Sequence, residues 1–138
     1  MVNEKNKVLL TWNKNLQTWI PVGGHIDPGE TPEEAIKREV SEETGFDFEF
    51  LSPHENDKDG NVKLLRHQRV QIEDAPHHNH HMNFVFFGKC TKHHERETTD
   101  ENEKLRWFSA KDIKEMKEKM FGSVYSMSLE ALRQAESI

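Results

Sequence analysis

The 138-residue sequence contains one cysteine, Cys90, so no disulfide can form within the chain, and a reducing compartment, the cytosol, is expected. No apolar run approaches the roughly 18 residues that a membrane-spanning helix needs. Met1 to Lys7 is polar and only a short apolar stretch follows, unlike a secretory leader. A basic surplus is missing too. Against 25 Asp and Glu stand 19 Lys and Arg, for a net charge of −6, which argues against a sequence-independent grip on nucleic acid. Apolar residues make up only 33% of the chain and the mean hydropathy is −0.92. Yet Leu, Ile, Val, Phe and Trp recur in short blocks, which a disordered chain would lack. Repeats and linkers are also absent, so residues 1–138 read as a single domain able to bury a core.

What is present organises into short elements. Lys7 to Trp12 (KVLLTW) predicts a strand, and Trp19 to Ile26 a glycine-interrupted extended stretch. Thr31 to Thr44 predicts a helix with legible ends: Thr31 as N-cap, Pro32 at the first turn, Glu34 completing a capping box, and Gly45 as the left-handed stop. Phe46 to Leu51 alternates apolar and polar as a half-buried strand does. A DKDG turn follows, then an extended Val62 to Ile72 and a central strand over His81 to Cys90. Thr91 to Glu103 reads as a charged loop and Lys104 to Phe108 as a short strand. Ser109 reads as the cap of a helix to Lys119, and Ser123 as the cap of another to Glu136. Together these predict an α/β (α+β) fold, a mixed sheet with helices on it. Only six residues precede KVLLTW, which predicts a sheet with a short edge or a chain that starts late.

The chemistry concentrates on the first helix. Glu39, Glu42 and Glu43 stand at i, i+3 and i+4, so their side chains share an arc of roughly 100°. Pro32 and Ala35 lie on the same face one or two turns back, Ile36 and Val40 lie toward the core, and Arg38 lies on the other side. Like charges so spaced repel by a few tenths of a kcal/mol per pair, a cost that Lys or Gln would avoid. A hard divalent cation such as Mg²⁺ reverses the sign, because it takes oxygen ligands and bridges carboxylates to phosphates. On spacing alone an ordinary solvated acidic helix remains the alternative.

The flanks decide between them. Gly24, Glu30, Arg38, Glu39, Val40, Glu42, Glu43, Gly45 and Phe46 satisfy G-x5-E-x7-R-E-U-x-E-E-x-G-U, with U a bulky apolar residue. Average residue usage would produce this at about one in a billion starting points. Residues 24–46 therefore resemble the signature of the Nudix hydrolases at every position. That resemblance implies an α/β/α sandwich with a mixed sheet, and a largely missing N-terminal strand. It implies a pyrophosphohydrolase that uses Mg²⁺ or Mn²⁺ on a nucleoside diphosphate linked to another group, with a nucleoside triphosphate-type substrate as the default. By position it implies Glu39, Glu42 and Glu43 as metal ligands, a backbone carbonyl from Gly23 or Gly24, and an ion pair of Glu30 with Arg38 fixing helix to loop. The alternative function is a Nudix-like domain that binds or senses a nucleotide without turning it over. Family members are often dimers, and a missing edge strand would favour pairing with a second copy.

The remaining candidates keep two or more readings. Glu101 or Glu103 is either the general base or part of a solvated loop. Trp19 either stacks on a base or belongs to the core. Arg66 and Arg69 either meet phosphates or face water. His77, His78, His80 and His81, with His67, His93 and His94 around them, form a second metal site, a substrate-side set (His78 and His80 sharing one strand face), or a polar turn.

Overall fold

The computed structural model describes residues 1–52, 65–75, 78–92 and 105–137, with backbone alone at 75, 78, 79 and 92. Glu101, Glu103, His77, His93, His94, the DKDG turn and the His78 side chain lie outside the described residues. In chain order come β1 (Val8–Asn13), β2 (Thr18–Ile20), α1 (Pro32–Thr44), β3 (Asp47–Phe50), β4 (Arg69–Ala75), β5 (His78–Val85), β6 (Gly88–Lys92) and β7 (Leu105–Phe108). The chain closes with α2 (Ala110–Glu115), a 3₁₀ turn at Lys117–Lys119, and α3 (Gly122–Glu136).

Strand β1 lies between β2 and β7, β3 pairs with β6, and β4 pairs with β5, all antiparallel. A single residue makes the sheet mixed. Val2 bridges antiparallel to Val8 and parallel to Lys89, joining the β1 group to the β3–β6 pair. Its N–H donates to Gly88 O and its carbonyl accepts from Cys90 N, both at 2.8 Å. Leu9 N to Met1 O and Asn3 N to Lys7 O, both 2.9 Å, complete the ladder on the β1 side. The expected N-terminal strand is thus a bridge one residue long, and the place beside β1 is filled from the same chain.

Leu9 and Leu10 are each 1% exposed, so β1 is buried on both faces. One face packs Val8, Leu10 and Phe108 against Ile113 of α2 and Val124, Met127, Ala131 and Leu132 of α3. The other packs Leu9 with Phe46 and Cys90, and Ala35 and Val40 of α1, which contacts β3, are buried as well. This is a helix–sheet–helix sandwich, as expected.

Several element boundaries depart from the sequence reading: β4 runs to Ala75 rather than Ile72, β5 starts at His78 rather than His81, and the helix expected from Ser109 to Lys119 stops at Glu115, with a separate 3₁₀ turn after it. His81 to Cys90 is not one strand: β5 ends at Val85 and β6 starts at Gly88. Between them Phe87 O accepts from Leu51 N at 2.8 Å, and Gly88 lies so close to Phe48 that a Cβ there would sit 2.3 Å from the ring. The last helix starts at Gly122 rather than after Ser123, with extended Phe121 before it and no side-chain cap. Among the described residues no helix is long and apolar enough to cross a membrane.

Candidate active site

Helix α1 begins where local chemistry says it should. Thr31 Oγ1 accepts from Glu34 N at 3.2 Å and Glu34 Oε2 accepts from Thr31 N at 3.3 Å, so two N–H groups that lack helical partners are satisfied reciprocally. At the far end Gly45 adopts φ 71° and its N–H bonds to Ser41 O, the left-handed stop that favours glycine. The fixed helix presents Arg38, Glu39, Glu42 and Glu43 to the preceding loop.

Arg38 organises that junction. Its Nε donates to Glu30 Oε2 at 2.7 Å and its Nη2 to Glu30 Oε1 at 2.9 Å, a bidentate pair. Nη2 also donates to His25 O at 3.0 Å, while Nη1 reaches Glu39 Oε1 at 2.9 Å and Glu42 Oε2 at 3.3 Å. Asp27 stands 3.5 Å away. Hydrogen bonds from Arg38, with one from Asp27 N, hold the Glu30 carboxyl down at about 2. The same bonds from Glu30 and Glu39 raise Arg38 still further above its ordinary range.

Glu39, only 15% exposed at its side chain, lies against the loop. A Cβ added to Gly24 would meet Glu39 Oε1 at 2.3 Å, so the carboxylate occupies the space that any other residue at 24 would fill. Glu43 is exposed as a residue, but its carboxyl loses water on the side turned toward Glu39. That desolvation, then the charge of Glu39, a hydrogen bond with Glu39 and the charge of Glu42 push it up to about 7. Three hard-oxygen donors that repel one another this strongly fit a divalent cation in kind. Among the described residues no three His, Cys, Asp or Glu side chains already enclose an ion-sized space. The reason is visible: Arg38 draws Glu42 and one oxygen of Glu39 to itself.

A cleft of about 490 Å³ opens at the same loop, lined by Gly23, Gly24, His25, Pro32, Ala35 and Ile36 on one side. His80, His81, Met82, Asn83, Phe84 and Phe86 line the other, with Ile20, Pro21 and Ile26 at the end. His25 and His81 meet edge-to-face at 5.9 Å across it. Of the sequence candidates, His80 therefore lines the cleft, with Asp74 at 3.4 Å from its Nδ1. Trp19 does not line it. Its ring packs on Phe108 at 5.1 Å and Trp12 at 5.4 Å, as part of the core. Arg69 Nη2 pairs with Glu130 Oε2 of α3 at 2.7 Å. Arg66 lies over the Phe50 ring at 5.3 Å with its Nε buried and unpartnered. Sequence reasoning missed His25, Asn83 and the Met82–Phe84–Phe86 wall, and had His81 only as a member of the histidine cluster. The only local signal was His25 inside the glycine loop.

Comparisons with known proteins agree with this fold. A model of the NUDIX domain matches residues 1–127. A Bacillus subtilis (strain 168) protein, whose name provisionally makes it an 8-oxo-dGTP diphosphatase, is 31% identical over 109 residues, or 79% of this chain and 62% of that protein. This chain thus spans less than two thirds of that relative's length. Among solved structures, a NUDIX-family hydrolase from Clostridium perfringens superposes with TM-score 0.73 at 31% identity, over 96% of this chain and 91% of that one. The C. elegans Ap4A hydrolase (TM-score 0.58, 18% identity, 95% and 84% covered) and a NUDIX hydrolase from Nitrosomonas europaea (0.61, 17%, 99% and 84%) share the fold.

Proposed function

The chain belongs to the NUDIX family, and from that premise we propose that it is a divalent-cation-dependent hydrolase that cleaves the pyrophosphate bond of a nucleotide. The substrate to try first is a nucleoside triphosphate, and 8-oxo-dGTP leads because of the Bacillus subtilis relative's name. The observation that carries the reading is the continuity of two features. Arg38 links Glu39 with Glu42, Glu43 bonds to Glu39, and Glu39 rests against Gly24, which also lines the cleft. A diphosphate at the carboxylates leaves the rest of the molecule in a recess of apolar walls and few charges.

In this reading Glu39, Glu42 and Glu43, with the backbone at Gly24, hold Mg²⁺ or Mn²⁺. Such an ion neutralises charge building on phosphate oxygens and supplies a water acidic enough to attack near neutral pH. The protein's own contribution is positioning. Arg38 clamps the loop through His25 O and Glu30, so that loop and helix keep one spacing. Without a cation, burial and then the charge of Glu39 push the Glu43 carboxyl up to about 7; a bound divalent ion would bring it down and keep Glu43 ionised, as a ligand or as the proton acceptor. Glu101 and Glu103 remain alternative proton acceptors.

The test is phosphate or pyrophosphate release from a panel of NTPs, dNTPs, 8-oxo-dGTP, ADP-ribose and dinucleoside polyphosphates with Mg²⁺ or Mn²⁺. Glu42→Gln and Glu43→Gln are each expected to lower kcat by about 10²-fold or more. Turnover unchanged in both variants would overturn the assignment. Nucleotide binding without turnover would point to a sensor domain instead.

A further inference from the structure

The Phe50 ring of β3 gathers two cations. Lys37 Nζ stands 5.5 Å from its centroid and Arg66 Cζ 5.3 Å. Lys37 comes from α1, and Arg66 from the chain just before β4, where its backbone N–H donates to Glu33 Oε1 at 2.9 Å. Glu33 lies one turn before Lys37 on the same side of the helix, so its carboxylate anchors the Arg66 backbone beside that side. Three arginines among the described residues are half-buried: Arg38, Arg66 and Arg69. Arg38 and Arg69 each hold a carboxylate at 2.7 Å. Among the described residues Arg66 has neither an ion pair nor a side-chain hydrogen bond, and its Nε is shut off from water. A ring face offsets part of the hydration that a cation loses, but it leaves the donors on the edge of a guanidinium unused. That planar edge fits two oxygens of a phosphate together, and an ammonium nearby adds charge with little geometric demand.

We propose that Arg66 and Lys37, gathered on Phe50, form an anion site for a phosphate group, apart from Glu39, Glu42 and Glu43. Lys37 precedes Glu39 by two residues, which turns it roughly 160° around the helix from that carboxylate. The site meets the cleft only through stacked rings: Phe50 contacts Phe86 at 5.4 Å, and Phe86 lines the cleft. The proposal goes beyond the hydrolase reading and holds whether or not the chain turns over a nucleotide. With a net charge of −6 the surface as a whole repels anions, so a hold on phosphate has to be local.

Amide NMR titration of the whole chain with inorganic phosphate, at fixed ionic strength and with EDTA present, tests this. Stripped of divalent ions, Glu39, Glu42 and Glu43 repel phosphate and stay out of the titration. Half-saturation is expected at about millimolar concentration, with the signals of Lys37, Phe50 and Arg66 moving and those of Gly24, Glu42 and Glu43 still. Arg66→Met keeps an apolar stem on the Phe50 ring and should raise Kd about tenfold or more. Lys37→Met, at an exposed helix position that leaves folding intact, should raise it about threefold. Methyl phosphate in a parallel titration separates free phosphate from phosphate carried on an organic group, and movement of the same signals by either supports the site. Four results would each overturn it: no movement up to about 20 mM phosphate, a Kd unchanged in either variant, movement at Gly24, Glu42 and Glu43 instead, or acetate binding as well as phosphate.

Discussion

Arg38 shows how much one side chain can hold. Its guanidinium is bonded to Glu30, Glu39, Glu42 and the carbonyl of His25, and a lysine, with one compact charge, could not reproduce that planar fork. The partner surface is equally particular. Because Glu39 occupies the space beside Gly24, the substitution Gly24→Ala must move the carboxylate. The obstacle is the free end of a flexible side chain, so folding should tolerate the change, whereas a displacement of about 1 Å at a reacting site costs on the order of 10²-fold in rate. We therefore expect Gly24→Ala to melt within about 2 °C of the unmodified protein, since surface-type changes stay near 0.5 kcal/mol, while kcat/KM falls about 100-fold. Thermal melts and initial rates on one preparation check both halves. A large loss of stability with rate retained would contradict the placement of Glu39.

At the scale of elements, the capped helix ends are legible in the sequence, whereas the uncapped start of α3, the end of α2 and the split of the central strand are not. The start and stop of α1 and the start of α2 rest on chemistry within four residues: Thr31 with Glu34, Gly45, and Ser109 with Asp112. The division of His81 to Cys90 into β5 and β6 depends on Leu51 and Phe48, which arrive from elsewhere in the chain. Nothing inside HMNFVFFGKC announces them except Gly88. The cap on α2 gives a pH prediction. Donation from Ser109 N and then Ser109 Oγ holds the Asp112 carboxyl below its ordinary 3.8. A depressed carboxylate stabilises the fold fully above its unfolded value and loses that contribution as pH falls through the folded one. Ser109→Ala should cost about 1 kcal/mol at neutral pH, and that deficit should shrink as pH falls below the ordinary 3.8 and Asp112 protonates in both proteins. Urea melts at pH 7 and pH 3 measure the difference; a deficit that grows in acid would refute the cap's role.

For the molecule as a whole, the acidic helix could be read from residues 24–46 because its chemistry is local, whereas the cleft could not. Its walls come from the glycine loop, α1 and β5, and only the fold brings His25 to His81. Trp19 and Arg69 illustrate the same limit: each had two readings in sequence, and their partners Phe108 and Glu130 lie in distant segments. The N-terminal bridge is also non-local. Val2 is 0% exposed, and four backbone bonds tie Met1–Asn3 to β1 and β6. At about 1 kcal/mol per bond and about 2 for the valine, removal of residues 1–3 should cost roughly 6 kcal/mol. That approaches the whole stability of a typical domain. Urea denaturation of the shortened chain should show it already unfolded or nearly so in water, and an unchanged midpoint would contradict the estimate.

Among the described residues, two halves of this sheet are therefore sewn together by a stitch at Val2. Pulling that strand segment out of its slot would unpick the seam without touching the acidic helix. The lifetime of the protein in a cell would then be set by how tightly the stitch stays tucked in, a question of local opening rather than of catalysis.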